Sequence, residues 1–428
     1  MGWKGHSYGI QPEVDHWKAT KPLDVAGVDI YHPSQEKLTG AETAFGGDLA
    51  RSMRNGQNYL VLETQAQGFP NWTPFSGQLR LQAFSHLASG ANMVEYWHWA
   101  STSNAVETYW RGVLSQDYQP NSVFEEVKTI GIDLKRLGTI LFNLRKSNEV
   151  GIYVSNIAQS GFDSFKINVD GKTLSYNDVV RRYYDALYRM NVEADILSPS
   201  STIDFSKYKL IIVPTLYAAS DVEIEKLNAY AKSGGHLLYT FRSGFSDENT
   251  KVRYSAQPGG ISVAAGIRYQ QFSIPNNATL DGDPYDVGPD ENKVQWWMEF
   301  ITPTTAKVIA RFKHASWPSY AAITRNEYGT GDITYVGFMP SEALTHAIIA
   351  TEIKRVGITL PEKHFPIIIR GGILQDGHRV RYFLNYSAST QNLVNHYEDG
   401  IELISGKRVE RGQFLTIAPW GVAIMKDD

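Results

Sequence analysis

Residues 59–72 read YLVLETQAQGFPNW, an apolar run that reaches a carboxylate, Glu63, and then breaks into Gly, Pro, Asn and Trp. A short apolar run bounded by turn residues is the pattern of a strand buried within a sheet. Glu63 closes that run and opens a polar loop, the place where parallel barrels and open α/β sheets hold their reactive groups. A solvated loop carboxylate leaves the same trace when read alone, so the neighbouring elements must decide. LDVAGVDIY (23–31) and NMVEYWHW (92–99) are further strand candidates. GQLRLQAFSHLASG (77–90) places Leu79, Phe84, Leu87 and Ala88 on one helical face and stops at Gly90, a suitable residue just past a helix. SVFEEVKTIGIDLKRLG (122–138) repeats the device with Val123, Val127, Ile130, Leu134 and Leu137. Strands separated by helices imply βα units around a parallel sheet, here an incomplete one.

If the three strands are neighbours, their carboxyl ends bring Asp29 and Tyr31, Glu63, and Trp97 with Trp99 to one face, with Trp72 in the loop after Glu63. Aromatic rings beside acids suit a sugar, whose C–H face stacks while its hydroxyls bond to carboxylates. Trp97 and Trp99 stand two apart along a strand, so they are expected to share one side and one fate.

From about residue 147 the pattern restarts: VGIYVS, a helix around DVVRRYYDALYRM, ADIL, KLIIVP, the helix DVEIEKLNAYAKSGG, and HLLYTF. Continuous apolar strands flanked by amphipathic helices indicate a doubly wound α/β domain, running to about residue 360 with a Gly/Pro/Asn-rich insertion near 255–292. The tail alternates strands and turn residues without a convincing helix, which predicts a small antiparallel β-domain.

The chain has 428 residues, of which 42% are hydrophobic and 20% charged, as in folded globular proteins of two or three domains. A net charge of −4 with scattered Lys and Arg offers no basic stripe for a phosphate backbone, so nucleic acid is excluded as a partner. The absence of cysteine removes disulfides, thiolate zinc sites and a Cys nucleophile, and is compatible with a cytoplasmic location. No segment approaches the roughly 20 apolar residues that span a bilayer, so no membrane partner is expected. His6, His16, His32, His86 and His98 show no metal-binding spacing, and neither metal nor cofactor is assigned.

LVLETQAQGFPNW, ASGANMVEYWHW, VETYWRGVLSQDY, TFRSGFSDEN and YGTGDITYVGF, in this order, closely resemble segments of the glycoside hydrolase family 42 β-galactosidases. The resemblance covers essentially the whole chain. It implies that residues 1–146 are the C-terminal part of a (β/α)8 TIM barrel, 147–360 a flavodoxin- or glutamine-amidotransferase-like α/β domain of trimerisation type, and 361–428 a small antiparallel β-domain. By the same resemblance Glu63 matches the nucleophile of a retaining β-galactosidase, Trp72 an aromatic wall of the galactose pocket, and Tyr31 and Glu107 further substrate-contacting positions. Trp99 joins them as a substrate-binding residue. The family's acid/base stands in an Asn-Glu pair ahead of the nucleophile, whereas Asn148-Glu149 and Asn326-Glu327 both follow Glu63. The expectation is therefore a chain that resembles the family from just after barrel strand five and lacks the acid/base, inactive alone and trimeric when whole. Ala100 and Trp110 depart from the Arg and His that many members carry. An amidotransferase reading of the middle domain fails for want of a Cys, and Ser220 lacks the Gly-x-Ser-x-Gly setting of a hydrolase elbow. The alternatives are a related glycosidase, such as an α-L-arabinosidase, or a non-catalytic sugar-binding or assembly protein.

Overall fold

The computed structural model describes residues 10–11, 14–68, 71–317, 320–362 and 365–428. His6, Phe69 and Pro70 lie outside the described residues. The three strands nearest the N-terminus, β1 (Ala26–Asp29), β2 (Tyr59–Gln65) and β3 (Ala91–Trp97), form one parallel sheet in that order. Its burial alternates: Ala26, Val28, Tyr59 and Val61 are covered, while Gly27, Asp29, Leu62 and Glu95 are open to solvent. A parallel sheet covered on both faces would not alternate in this way. The covered face packs on two helices, α1 (Ala41–Met53) and α2 (Gln78–Ala88), and α3 (Ser122–Leu141) follows β3.

Helix α1 is hidden in the sequence, and its packing shows why. It begins after Gly40 rather than a Ser, Thr, Asp or Asn cap, and contains the pair Gly46-Gly47, which weakens a helical signal. A Cβ on Gly47 would stand 2.3 Å from the Tyr59 hydroxyl and 2.6 Å from Ser89 Cβ, so the glycine lets the helix lie directly on its neighbours. Helix α2 differs from its sequence reading in another way. The expected apolar face is buried, but so are Gln78, Gln82, Ser85 and His86 on the polar side. Gln78 bonds Gln35 and Gln82 bonds His32 and Thr64 beside the sheet, while Ser85 Oγ meets Tyr386 Oη of the C-terminal domain at 2.6 Å.

The middle region is built on an eight-stranded sheet. Its parallel strands are β4 (Val150–Tyr153), β5 (Ala194–Leu197), β6 (Leu210–Val213), β7 (His236–Thr240) and β12 (Gly331–Val336), lying in the order β5-β4-β6-β7-β12. This is the flavodoxin-like arrangement, with strand order reversing beside β4. Antiparallel β11 (Ala321–Tyr328), β10 (Lys307–Lys313) and β8 (Thr279–Leu280) extend it beyond β12, while β9 (Val294–Glu299) pairs outside this sheet. The tail forms a five-stranded antiparallel sheet from β13 (Ile367–Ile373), β14 (Arg379–Asn385), β16 (Gly400–Glu402), β17 (Lys407–Val409) and β19 (Val422–Asp427). A separate ribbon joins β15 (Gln391–Val394) and β18 (Phe414–Ile417).

A buried ion network links the three regions. Asp48 of α1 accepts from Arg370 of β13 at 2.6 Å, from Arg51 at 3.2 Å and from the Tyr184 hydroxyl at 2.7 Å. Arg51 also reaches Asp195 at 2.8 Å, Arg370 reaches Glu193 at 3.0 Å, and Lys146 pairs with Glu193 at 2.5 Å. Burial would raise the Asp48 carboxyl, but the Arg370 and Arg51 guanidiniums outweigh it and hold the group below its ordinary range. Burial pushes the Lys146 ammonium down to about 8. Removing one partner of such a network strands a charge, so Arg370→Met should cost about 3–5 kcal/mol in denaturant unfolding. Asp48→Asn added to it should recover part of that loss, and additive losses would show that the pair is not coupled.

A second buried acid is Glu299 at the end of β9, which accepts from the Arg242 backbone N–H at 2.6 Å and the Tyr335 hydroxyl at 2.9 Å. Burial raises its carboxyl to about 7 despite those donors. The folded state then holds a proton between about pH 4.5 and 7 that the unfolded state releases, so this group withdraws stability as pH rises through that window. Glu299→Gln should flatten the fall of unfolding free energy across the same window, and an unchanged slope would contradict the assignment.

Candidate active site

At the carboxyl end of the three-stranded sheet, Asp29 of β1 stands beside Glu63 of β2, and Ile30 N–H donates to the Glu63 carbonyl at 2.9 Å. The chain then delivers Tyr31, whose phenol lies against the Glu63 carboxylate. Burial, that carboxylate and the nearby charges of Asp29 and Glu107 push the phenol far above its usual range. Tyr31 thus marks a spot where three carboxyl groups are felt together. His98 stands one residue past β3, near the same acids. Partial burial lowers its imidazole, while Glu107 and Glu63 pull it upward, and its Nε2 meets Thr102 Oγ1 at 2.8 Å.

The aromatic wall is organised by Trp110. Its ring lies edge-on to Tyr31 at 5.5 Å and to Trp72 at 6.5 Å, bridging the residue after β1 and the loop after β2. Trp72 is half-buried with φ of +57°, and Gly68 N–H donates to its carbonyl at 2.8 Å, so a tight turn aims the indole. The loop carrying Glu107 and Trp110 is fastened below them. Val113 N–H donates to His98 O at 2.7 Å, Leu114 N–H to Trp99 O at 2.7 Å, and Gln67 Nε2 to Gly112 O at 2.9 Å.

Of the sequence-predicted residues, Tyr31, Glu63 and Trp72 come together around Trp110, and exposed Glu107 acts on Tyr31 and His98 through its charge. Trp97 and Trp99 do not share a fate. Half-buried Trp97 stacks on His98 at 4.9 Å, whereas Trp99 is 61% exposed and turns its ring to Phe124 of α3 at 6.3 Å. The chain leaves the regular strand at Trp97, so the alternation that would align the two is lost. His32 is a packed residue held by Gln65 and Gln82, with burial lowering its imidazole to about 4. Asn148 bonds Asp195, Glu149 pairs with Lys209, and Asn326 bonds Thr305 and the Ala264 carbonyl, all within the middle region. Gly112 is a residue that sequence reasoning did not place, and Trp110 was marked there only as a departure from the His that many members carry, not as the centre of the aromatic wall.

Among the described residues, no group of three or more His, Cys, Asp or Glu could hold a metal ion, and no helix is long and apolar enough to cross a membrane.

The parallel sheet thus carries, at its carboxyl end, the Glu63 carboxylate beside a tyrosine and two indoles. Residues 5–137 match a family model described as β-galactosidase, and residues 162–359 match one described as a β-galactosidase trimerisation domain. The chain belongs to glycoside hydrolase family 42. It is 26% identical over 432 residues to β-galactosidase LacZ of Lactobacillus acidophilus, covering 97% of this chain and 61% of the relative. It is 28% identical over 337 residues to β-galactosidase BgaB of a Geobacillus species, covering 76% of this chain and 48% of that protein. The solved β-galactosidase of Bacillus circulans sp. alkalophilus superposes with a TM-score of 0.87 at 24% identity, covering 98% of this chain and 62% of the other. That of Rahnella sp. R3 superposes at 0.84 with 20% identity, covering 97% and 62%. The chain therefore spans less than two thirds of the length of these relatives.

The fastening of the Trp110 loop gives a direct test. A Cβ on Gly112 would stand 2.5 Å from the His98 carbonyl oxygen and under 3 Å from Ala100 backbone atoms, which are 2.8 and 2.9 Å away. Gly112→Ala should cost about 1–3 kcal/mol by overpacking and shift the tryptophan emission. Wild-type stability and emission would show that the loop is not seated there.

Proposed function

We propose that this chain supplies the nucleophile side of a retaining β-galactosidase site, with Glu63 attacking the anomeric carbon of a terminal β-D-galactosyl residue. The observation that supports this most is the Glu63 carboxylate beside the Tyr31 phenol and the Trp110 wall, on the open face of a parallel sheet. The phenol is the neighbour that would orient the carboxylate for attack. Trp72 and Trp110 offer apolar edges to the C–H face of galactose, and Glu107 and His98 offer polar contacts to its hydroxyls. The sheet β1–β3 with its helices is read as an arc of a (β/α)8 barrel, residues 147–360 as a trimerising domain and 361–428 as a small β-domain. The assembly is a homotrimer acting on β-galactosides.

Retaining hydrolysis needs a second carboxyl group about 5–5.5 Å from the first, to protonate the leaving oxygen and later to activate water. Asp29 and Glu107 are the other acids that Tyr31 senses, and neither is assigned that role. We assign the proton donor to no residue of this chain, and such a donor is worth about 10²–10⁴-fold in rate.

In the whole protein, Glu63→Gln should abolish aryl β-galactoside turnover while the fold is retained, because an amide cannot form the glycosyl-enzyme. Azide should rescue Glu63→Gly and give the inverted α-galactosyl azide. Undiminished turnover by Glu63→Gln would remove the assignment. If galactose binding survives where wild-type turnover is nil, the non-catalytic reading takes its place. The 428-residue chain by itself should give only background hydrolysis. Robust turnover by it would move the proton donor to Asp29 or Glu107.

A further inference from the structure

Trp72 is gripped by an amide from another part of the chain. Gln35, in the single 3₁₀ turn Gln35–Lys37 after β1, donates from Nε2 to the Asn71 carbonyl at 3.0 Å and to the Thr73 carbonyl at 2.8 Å, one on each side of Trp72. The Trp72 carbonyl is already taken by the Gly68 N–H at 2.8 Å. The successive carbonyls of Asn71, Trp72 and Thr73 thus each meet a donor, which fixes the peptide planes that aim the indole. Gln35 is held in its turn by Gln78, the buried first residue of α2. Gln78 Oε1 accepts from the Gln35 N–H at 3.0 Å and from the Phe75 N–H at 3.0 Å, and Gln78 Nε2 donates to the Gln35 carbonyl at 2.9 Å.

The backbone at both ends of this grip is held against its local preference. Gln35 has φ of +58° and Trp72 has φ of +57°, in the left-handed region that glycine enters freely and other residues avoid. A glycine at position 35 would relieve the backbone and delete the amide, so the glutamine is explained by what its side chain holds. Residues kept in that region by their surroundings gather at working sites. The line of amides continues beyond Trp72. Thr73 Oγ1 donates to Gln67 Oε1 at 3.1 Å, and Gln67 Nε2 donates at 2.9 Å to the carbonyl of Gly112, two residues past Trp110. Both indoles of the wall are therefore tied to one run of glutamine side chains that starts at Gln78.

We propose that Gln35 is a positioning residue of the sugar site, which sets the affinity for the galactosyl ring by aiming Trp72. It acts through the indole: an amide NH₂ has two hydrogens, both are given to the Asn71 and Thr73 carbonyls, and none is left for a sugar hydroxyl. An aromatic wall touches the ring before and during reaction alike, so misaiming it raises KM and leaves kcat nearly unchanged. The inference rests on the reading of Trp72 as a sugar wall given above and adds the residue that aims it.

The test is aryl β-galactoside kinetics on the whole protein with Gln35→Met, Trp72→Ala and the two combined. Gln35→Met keeps the length of the side chain and removes both donors, and should raise KM about three- to tenfold at nearly unchanged kcat. Combined with Trp72→Ala it should add nothing to the KM of Trp72→Ala alone, because the wall it aims is gone. Gln35→Glu is a second check. Its carboxyl has no hydrogen for the carbonyls when ionised and one when protonated, so its KM relative to wild type should fall as pH falls through the carboxylate range. If wild-type turnover is nil, the same comparisons are read as Kd for galactose. A wild-type KM in Gln35→Met beside a raised KM in Trp72→Ala overturns the proposal and leaves the sugar-wall reading standing, as do additive losses in the double variant. A wild-type KM in Trp72→Ala removes that reading and this inference with it. Should Gln35→Met misfold, Gln35→Glu decides, and a KM ratio that does not move with pH counts against the grip.

Discussion

The Asp48 carboxylate is the constraint from which the arrangement of this chain follows. It sits fully buried on α1 and is met by guanidiniums from its own helix and from β13, and by a tyrosine hydroxyl from the middle region. A buried charge is tolerable only when its partners are placed well, because desolvation is large and is offset only at short range. Any displacement of α1 relative to the middle sheet or to β13 would leave Asp48, Arg370 or Glu193 uncompensated. Apolar packing alone would fix these regions less strictly, since hydrophobic contact is not directional. The network therefore orients the sheet β1–β3, which rests on α1, and through that sheet the edge where Glu63 stands.

From that orientation the site follows in few steps. Helices α1 and α2 cover one face of the sheet, so the opposite face is free, and the residues on it and just past its strand ends can meet a ligand. Asp29, Glu63 and Tyr31 are adjacent because β1 and β2 pair in parallel with a shift in register at Asp29, which brings it opposite Glu63. The indoles are aimed by loop chemistry instead. Trp72 is held by a turn in which it adopts a left-handed conformation, and Trp110 by a loop whose Gly112 lies against the exit of β3.

The elements that were legible in the sequence are those whose signal is local. β4, β5, β6 and β7 read as strands because each is a compact apolar run between turn residues, and β2 reads the same way up to Glu63. The flavodoxin-like order is then the short, right-handed solution for such units. What was not legible depended on partners distant in the chain. Helix α1 lacks a cap and contains Gly47, whose reason is the Tyr59 hydroxyl twelve positions on. The polar side of α2 is buried by distant partners, Gln35 for Gln78, His32 and Thr64 for Gln82, and Tyr386 of the β-domain for Ser85. Trp99 reads as the partner of Trp97 until the strand ends between them. At the site, strand ends named Glu63 and Tyr31, while Trp110 emerged only when three separate segments met.

Perturbed titration is often taken to point at working residues, and in this chain that guide leads elsewhere. Burial raises both Glu223 and Glu299 to about 7, a range suited to proton transfer. Yet both are buried: Glu223, in the first turn of the helix Asp221–Lys232, bonds the Tyr153 hydroxyl, and Glu299 bonds the Arg242 backbone N–H and the Tyr335 hydroxyl. Their protons are held by burial, and Glu299 accepts from the backbone N–H of Arg242, whose φ is +57°. The carboxylate with a claim to chemistry is told apart by access and company. Glu63 is half-exposed near a strand end, with the Tyr31 phenol against it and indoles around that phenol. In a molecule with many buried acids, position on the open edge of a sheet discriminates better than the titration of any one group.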